Sequence, residues 1–389
     1  REIQNKSYAE LHKPSSSFNT RDEYLAHELQ IMKPKRWSIN LPFKDYRFEP
    51  EDAIAAMAGT IGKIVMVGAM AAAFAAPLGL GDGFILENVR YELLIAAILV
   101  VIFSGFILPT SNLPGTHGPL IPLIPIVVAA GGHPLAFGIS IAVFGLILSL
   151  LKGGSLMTKL TSDGVAGGLL LYLGFVGTIG QVNKLIDWAK AIEIPHLAFV
   201  IIIATIIMYA LLEHWQKRWL AVPIGCALAG FLAFIFGAPF EFKTAPGLPN
   251  MSPMYWWGEN TGWTLGLPDA KAFIVVFPFA VLAVAMWPPD FLGHKVFQKI
   301  SYPNHTDRTH IDDTMVTCSI RQAIGSALGG ANFTSSWGTY IVPAAIAKRP
   351  IPAGAILTAL FCIIASIWGY PMDLAIWQPV LSVALIVAV

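Results

Sequence analysis

Long apolar runs separated by short polar turns fill the chain beyond residue 50. Such runs cover residues 91–108, 135–151, 196–212, 219–236 and 272–286. Most of them approach the ~17–25 residues that a helix needs to cross the hydrocarbon layer of a bilayer. The pattern predicts an all-α polytopic membrane protein that resides in the lipid bilayer.

The composition supports this prediction. Only 13% of the 389 residues are charged, whereas 55% are hydrophobic, and soluble domains carry about 25% charged residues. The net charge of +1 comes without a basic cluster, which argues against a nucleic-acid partner. The three cysteines, Cys226, Cys318 and Cys362, are far apart and form no CxxC pair, so neither a disulfide framework nor a metal site is expected.

Residues 1–50 are polar, carry charges of both signs and lack an apolar run. Because no signal-peptide segment precedes the first apolar run, this tail is expected to be cytoplasmic. Lys and Arg also collect at alternate turns, for example at 217 and 218, as the positive-inside rule requires for this orientation. The stretch 238–267 then lies outside, and its tryptophans, Trp256, Trp257 and Trp263, are predicted to form an interfacial aromatic belt.

Two stretches interrupt the apolar pattern at matching positions. Residues 111–119, SNLPGTHGP, precede the apolar run 119–131, which as a helix spans roughly 20 Å against ~30 Å of hydrocarbon. Residues 329–337, GGANFTSSW, precede a second short run in the third place of the second half. The alternative is that Gly and Pro merely kink two ordinary helices. Two interrupted segments at equivalent positions are, however, the sequence pattern of a transporter binding site.

The two halves are predicted to have opposite orientations. Seven apolar segments precede the loop at 238–267, so the second half enters the membrane from the opposite face and the repeat is inverted. Two half-helices then direct their N-termini at one site near the midplane. Free N–H groups and about +0.5 charge at each end favour an anion or a hydrogen-bond acceptor there.

Four stretches resemble the superfamily of nucleobase–ascorbate transporters, such as uracil permeases, and sulfate permease-type anion carriers. GGANFTSSWGTYIVPAAIAKRP is similar to its tenth segment, THGPLIPLIP to its third, PPDFLGHKVFQKI to its eighth and TSDGVAGGLLLYLGFVGTIGQVNKL to its fifth. The resemblance covers residues 51–389. It implies a uracil permease-like fold, a seven-plus-seven inverted repeat with discontinuous third and tenth segments. It also implies a bacterial branch of the superfamily, located in the inner (plasma) membrane, and a homodimer formed through the gate domain.

The resemblance further divides the chain into core and gate domains. The tail (1–50) is followed by the first core repeat (51–152), the first gate repeat (153–237), the extracytoplasmic loop (238–267), the second core repeat (268–370) and the start of the second gate repeat (371–389). A second half as long as the first would extend past residue 389. C-terminal segments are therefore expected to be missing from this chain.

Two residues of the eighth segment are candidates for ion or proton coupling. Asp290 follows two prolines inside a predicted span, and an ionisable group at that depth is a functional hypothesis by default. His294 lies one helical turn further on the same face and can share a proton with it. A solvated helix end near the cytoplasmic surface is the alternative. The resemblance assigns substrate contact to Asp290 and proton coupling to His294. The interrupted stretches supply the other candidate substrate-binding residues: Thr116, His117, Gly118, Phe333, Thr334, Ser335, Ser336 and Trp337.

One departure from the superfamily bears on the substrate. Nucleobase carriers have a second acid in the tenth segment, whereas here Trp337-Gly338 is followed by Thr339. One acid and two positive helix ends favour an anion. We therefore predict a secondary active transporter that moves a small anion of the bicarbonate, sulfate or carboxylate type by alternating access, coupled to Na⁺ or H⁺ and without a further cofactor.

There are three alternatives, one within the transporter class and two from other classes. A proton-coupled nucleobase permease, with Trp337 stacked on the base, is the first. An ion channel is the second. An enzyme is not expected, because no HExxH or GxSxG motif and no paired carboxylates lie in a span.

Overall fold

The computed structural model describes residues 12–32, 35–257, 263–301 and 309–388. These ranges are almost entirely helical, and the β-structure within them consists of isolated bridges. The helices, numbered in chain order, are α1 (Arg21–Ile31), α2 (Pro50–Leu78), α3 (Asp82–Val100), α4 (Ile124–Ala129), α5 (Pro134–Leu150), α6 (Gly153–Leu160), α7 (Asp163–Ala191), α8 (His196–His214), α9 (Ala221–Ile235), α10 (Pro253–Trp257), α11 (Ala270–Ala285), α12 (Trp287–Ser301), α13 (Ile311–Ala327), α14 (Gly338–Ile346), α15 (Ile351–Trp368) and α16 (Leu374–Ala388).

Six helical stretches are long and apolar enough to cross a membrane: Pro50–Leu78, Asp82–Ile107, His196–His214, Arg218–Ile235, Ala270–Val296 and Ile351–Trp368. A seventh is obtained if α5 and α6, which meet at 85°, count as one bent span. Two further apolar helices, Gly118–Ala129 and Leu374–Val387, are shorter. The prediction of an all-α polytopic membrane protein is confirmed.

Local sequence signals explain the limits of the first span, α2. Pro50 occupies the first turn, where its missing N–H costs nothing, and Glu49 and Asp52 form a capping box around it. The helix ends at Gly79, which adopts a left-handed φ of 66° that favours glycine. Its 29 residues are enough to cross the hydrocarbon core of a bilayer. Lys63 lies near the middle of this helix and is therefore far from both of its ends.

The helices form two packed groups. In the larger group α13 packs on α5, α14 on α2 and α15 on α3, and in the smaller group α7, α8, α9 and α16 share a separate apolar core. The contact between α5 and α13 is close because Gly138 and Gly145 face it. A Cβ at Gly138 would lie 1.9 Å from the Ser326 hydroxyl. The boundaries predicted for the core and gate domains stay predictions.

Both interrupted segments are discontinuous, as the sequence predicted. After α3 and a π-helical turn (Val101–Ile107), the chain is non-helical until a 3₁₀ turn (Gly118–Leu123) leads into α4. In the second half it is again non-helical between α13 and α14. The two non-helical stretches meet in an antiparallel bridge between Pro114 and Ser336. The alternative of two merely kinked helices is therefore wrong.

The described N-terminal residues, 12–32 and 35–49, lie against the ends of the larger helix group. Arg36 forms an ion pair with Asp313 at the start of α13 (2.6 Å). The Tyr46 hydroxyl donates a hydrogen bond to the carbonyl of Gly105 in the π-helical turn (3.0 Å). The described part of the tail is thus folded onto the transmembrane helices. Its cytoplasmic location stays a prediction.

Two sets of charged contacts fix the start of α2. Arg349 and Asp52 form a fully buried ion pair (2.9 Å). Glu49 accepts hydrogen bonds from the Tyr24 hydroxyl (2.7 Å) and from Arg21 (2.6 Å). Burial alone would raise the pKa of Glu49, but these two hydrogen bonds together with the positive charges of Arg21 and Arg349 outweigh it and lower the pKa below its ordinary value of 4.5.

The aromatic-belt interpretation of the outer loop is wrong. Trp256, Trp257 and Trp263 are at most 8% exposed and pack into the core of the larger helix group. The indole N–H of Trp257 donates to the carbonyl of Ala327 (3.1 Å), and that of Trp263 donates to the carbonyl of Gly329 (2.9 Å). These carbonyls lie at the end of α13, where no further helical turn can satisfy them. The need for donors at this helix end accounts for the burial of the two indoles.

Candidate substrate site at two interrupted helices

The site is built on backbone pairing between the two non-helical stretches. The N–H groups of Gly115 and His117 donate to the carbonyls of Ser335 and Phe333, both at 2.7 Å. The Trp337 N–H donates to the carbonyl of Leu113 in return (2.9 Å). Each stretch thereby satisfies part of the other's backbone, which is the condition for non-helical chain at membrane depth. The pairing also places the starts of the two half-helices beside each other.

Gly115 permits this close approach. A Cβ at this position would lie 2.6 Å from the Trp337 Cα and 2.9 Å from the Ser336 carbonyl oxygen. Both are backbone atoms, so a side-chain rotation cannot relieve the clash. The register of the pairing therefore depends on a glycine at this position.

Three of the predicted residues form a hydrogen-bonded chain next to the pairing. The Ser336 hydroxyl donates to Asp290 Oδ2 (2.7 Å) and lies 2.8 Å from His294 Nδ1. A serine hydroxyl has one proton, and that of Ser336 is directed at the carboxylate. The contact with His294 is therefore a hydrogen bond in which Nδ1 carries the proton and donates it to the Ser336 oxygen. All three residues are at most 9% exposed. The alternative of a solvated helix end is wrong.

Two groups at the start of the first half-helix have unused hydrogen-bonding capacity. His117 contacts the carbonyl of Ala283 through Nε2 (2.8 Å). In the part of the chain that the structure describes, His117 Nδ1 and the Thr116 hydroxyl are buried and have no hydrogen-bond partner. A buried polar group without a partner costs free energy, and a bound ligand can supply that partner. The next residue, Gly118, begins the 3₁₀ turn.

Most of the remaining predicted residues are held by ring contacts or by hydrogen bonds to backbone carbonyls. The Phe333 ring lies 4.6 Å from that of Phe137, and the Thr334 hydroxyl donates to the carbonyl of Cys318 (3.0 Å). The Trp337 indole N–H donates to the carbonyl of Gly59 (2.9 Å). Ser335, by contrast, directs its hydroxyl at the carbonyl of Thr116 (3.5 Å). The binding roles of all these residues stay predictions.

A buried charge cluster behind the pairing was missed by the sequence analysis. Lys63 of α2 and Arg321 of α13 both form ion pairs with Glu92 of α3, the Lys63–Glu92 pair at 2.7 Å. Lys63 also donates to the carbonyl of Pro114 (3.4 Å) and lies 5.1 Å from the centre of the Trp337 ring. The signal was available, because each charge interrupts an apolar or helical run, as Asp290 does.

A crevice opens between the two helix groups. It encloses a cavity of about 850 Å³ between the second half of α2, the start of α3, the end of α7 and α16. Its lining reaches Val65, one turn of α2 from Gly62, where a Cβ would touch the Thr339 side chain of the second half-helix. The two helix groups also meet where α12 packs against α7.

Comparison with known proteins agrees with this architecture. Residues 1–389 match the model of a family described as "Protein of unknown function (DUF3360)". The chain belongs to the DUF3360 family. No curated protein matches this DUF3360 member.

One solved structure defines the fold. The DUF3360 chain is similar to the transmembrane domain of a cyanobacterium bicarbonate transporter, BicA, with a TM-score of 0.51 and 14% identity over 87% of this chain and 88% of that one. The fold is therefore that of a polytopic membrane transporter domain. At this identity the similarity concerns the fold alone.

Proposed function

We propose that this protein is a secondary active transporter that moves a small anion, of the bicarbonate, sulfate or carboxylate type, by alternating access. The pairing of the two interrupted segments carries the proposal. It sets two half-helix starts side by side in the membrane, next to the unpartnered Thr116 hydroxyl and His117 Nδ1. The positive end of the helix dipole favours an anion at such a position. The solved transporter domain of the same fold is described as that of a bicarbonate transporter.

The chain of Asp290, Ser336 and His294 is the proposed coupling site. An isolated, charged carboxylate is costly inside the membrane, and binding a proton or a Na⁺ ion removes that cost. Ser336 belongs to the second half-helix segment, so a change at Asp290 reaches the substrate site through one hydrogen bond of 2.7 Å. Binding of the coupling ion and of the anion are thereby linked.

The crevice supports alternating access. Its cavity of about 850 Å³ lies between α2 and α3 of the larger helix group and α7 and α16 of the smaller one. We take this as one of two alternating arrangements, with the larger helix group moving against the smaller one. The bacterial plasma membrane, the cytoplasmic N-terminus and a homodimer through the gate domain belong to the same proposal.

The nucleobase alternative has less support. It requires the Trp337 ring to stack on a base, but that ring is 2% exposed, contacts Lys63 and is held through its N–H by Gly59. An ion channel is the other alternative, and saturable, gradient-driven uptake would argue against it.

Uptake by proteoliposomes tests the proposal. Labelled bicarbonate, sulfate, succinate and uracil are offered with and without Na⁺ or H⁺ gradients. We expect saturable uptake of at least one anion, driven by one of the gradients, and loss of that driving effect in Asp290→Asn. Asp22→Asn is the matched control, since Asp22 forms only an exposed ion pair of 3.1 Å with Lys348. Uptake of uracil alone, or unchanged gradient-driven uptake by Asp290→Asn, contradicts the proposal.

A further inference from the structure

We propose that the net charge of the buried cluster Lys63–Glu92–Arg321 sets the affinity of the transporter for its anion. This inference rests on the proposed function and adds an electrostatic determinant on α2, α3 and α13. The cluster lies outside the two interrupted segments but contacts both of them.

The charges in the cluster do not balance. In their protonated forms Lys63 and Arg321 carry two positive charges, and in the described ranges Glu92 is the one carboxylate within ion-pair distance of either. The other partners are neutral: Asn332 donates its amide to Glu92 (3.0 Å), and Arg321 donates to the Asn332 carbonyl (2.9 Å). The cluster therefore carries one excess positive charge. All three charged side chains are at most 1% exposed, so water does not screen it.

An excess charge at this depth is costly without a counter-charge. Ionisable groups inside a membrane protein pair with one another or mark an ion pathway. The cation–π contact of Lys63 with Trp337, at 5.1 Å, offsets part of the cost, but it supplies no negative charge. An anion at the half-helix starts would supply that charge.

The cluster lies directly behind the paired segments. Lys63 contacts the carbonyl of Pro114, which is bridged to Ser336. Arg321 contacts the carbonyl of Asn332, next to Phe333, whose own carbonyl accepts from His117. Each interrupted segment is thus contacted by one of the two cationic side chains. In this poorly screened setting, removal of one unit charge is expected to change anion affinity on the order of tenfold or more.

A charge-compensation series separates this electrostatic role from a structural one. Lys63→Met lowers the cluster charge from +1 to 0, Glu92→Gln raises it to +2, and the double variant restores +1 although both partners of the ion pair are gone. We expect the KM for the transported anion to rise on the order of tenfold in Lys63→Met, to fall in Glu92→Gln and to return toward the wild-type value in the double variant. Lys63→Arg, which keeps the charge, should stay near wild type.

Purified variants are first compared by thermal unfolding. If Lys63→Met does not fold, the KM of Glu92→Gln and of the double variant decides the question. A KM that is unchanged in both single variants, or a double variant as impaired as Lys63→Met, overturns the inference. Absence of anion uptake by the wild-type protein counts instead against the proposed function.

Discussion

Replacement of Gly115 by alanine should separate the two interrupted segments. The added Cβ would lie 2.6 Å from the Trp337 Cα and 2.9 Å from the Ser336 carbonyl oxygen, both of which belong to the backbone. The nearest relief is a shift of one segment away from the other. That shift lengthens the three backbone hydrogen bonds at 2.7, 2.7 and 2.9 Å that join them.

The size of the effect follows from these bonds. Each is worth about 1 kcal/mol net, and each buried group left unpaired costs about 1–3 kcal/mol. Loss of two or three of them amounts to roughly 3 kcal/mol or more of stability. Because the same bonds hold the half-helix starts together, anion uptake should fall even where the protein still folds.

Thermal unfolding of purified protein and uptake by proteoliposomes measure the two effects. Gly177→Ala in α7 is the matched control, because in the described part of the chain no atom beyond the backbone of α7 itself lies within 4 Å of the added Cβ. Alanine there should change stability by no more than about 1 kcal/mol, through helix propensity. Wild-type stability together with wild-type uptake in Gly115→Ala would refute the proposed pairing.

Three further predictions concern the surroundings of the site. Gly62→Ala should impair uptake, because its Cβ would lie 2.3 Å from the Thr339 hydroxyl; Thr339→Gly in the same chain should restore part of it, and no restoration would argue against a steric cause. Arg349→Met should lower the free energy of unfolding by about 3–5 kcal/mol, and with it the unfolding temperature, because it leaves the Asp52 carboxylate buried without its ion-pair partner. Adding Asp52→Asn should recover part of this loss. Because the folded-state pKa of Glu49 is lowered, its stabilising contribution is complete above the ordinary value of 4.5 and is lost as the pH falls through the lower folded-state value. Protection factors for amide hydrogen exchange in α1, which divide out the intrinsic pH dependence of the exchange rate, should therefore be lower at pH 4 than at pH 7, and equal protection factors at both would contradict this.

The interrupted segments were predictable because the residues that break the helix are visible in the sequence. Pro114, Gly115 and Gly118 are poor helix formers, and the run that follows is too short to cross the bilayer. The register of the pairing was not predictable. It depends on which residue of one segment can approach the other, and this is decided by contacts between Gly115 and Trp337, far apart in the chain.

The charge cluster shows a different limit. Lys63, Glu92 and Arg321 are each visible in the sequence as charges inside membrane helices, so the rule that selected Asp290 selects them as well. Their mutual pairing and the excess of one positive charge depend on how three separate helices pack. The burial of Trp257 and Trp263 has the same origin, since the carbonyls that they satisfy lie at the end of another helix.

Counterflow in proteoliposomes tests most directly that an anion is carried through this site. Vesicles preloaded with an unlabelled anion are diluted into a trace of the same anion, labelled, without any ion gradient. We expect the labelled anion to accumulate transiently above its equilibrium level in wild-type vesicles, and this overshoot to disappear in Gly115→Ala but not in Gly177→Ala. Flux that rises linearly with concentration and shows no overshoot for bicarbonate, sulfate or succinate would contradict the assignment of an anion carrier.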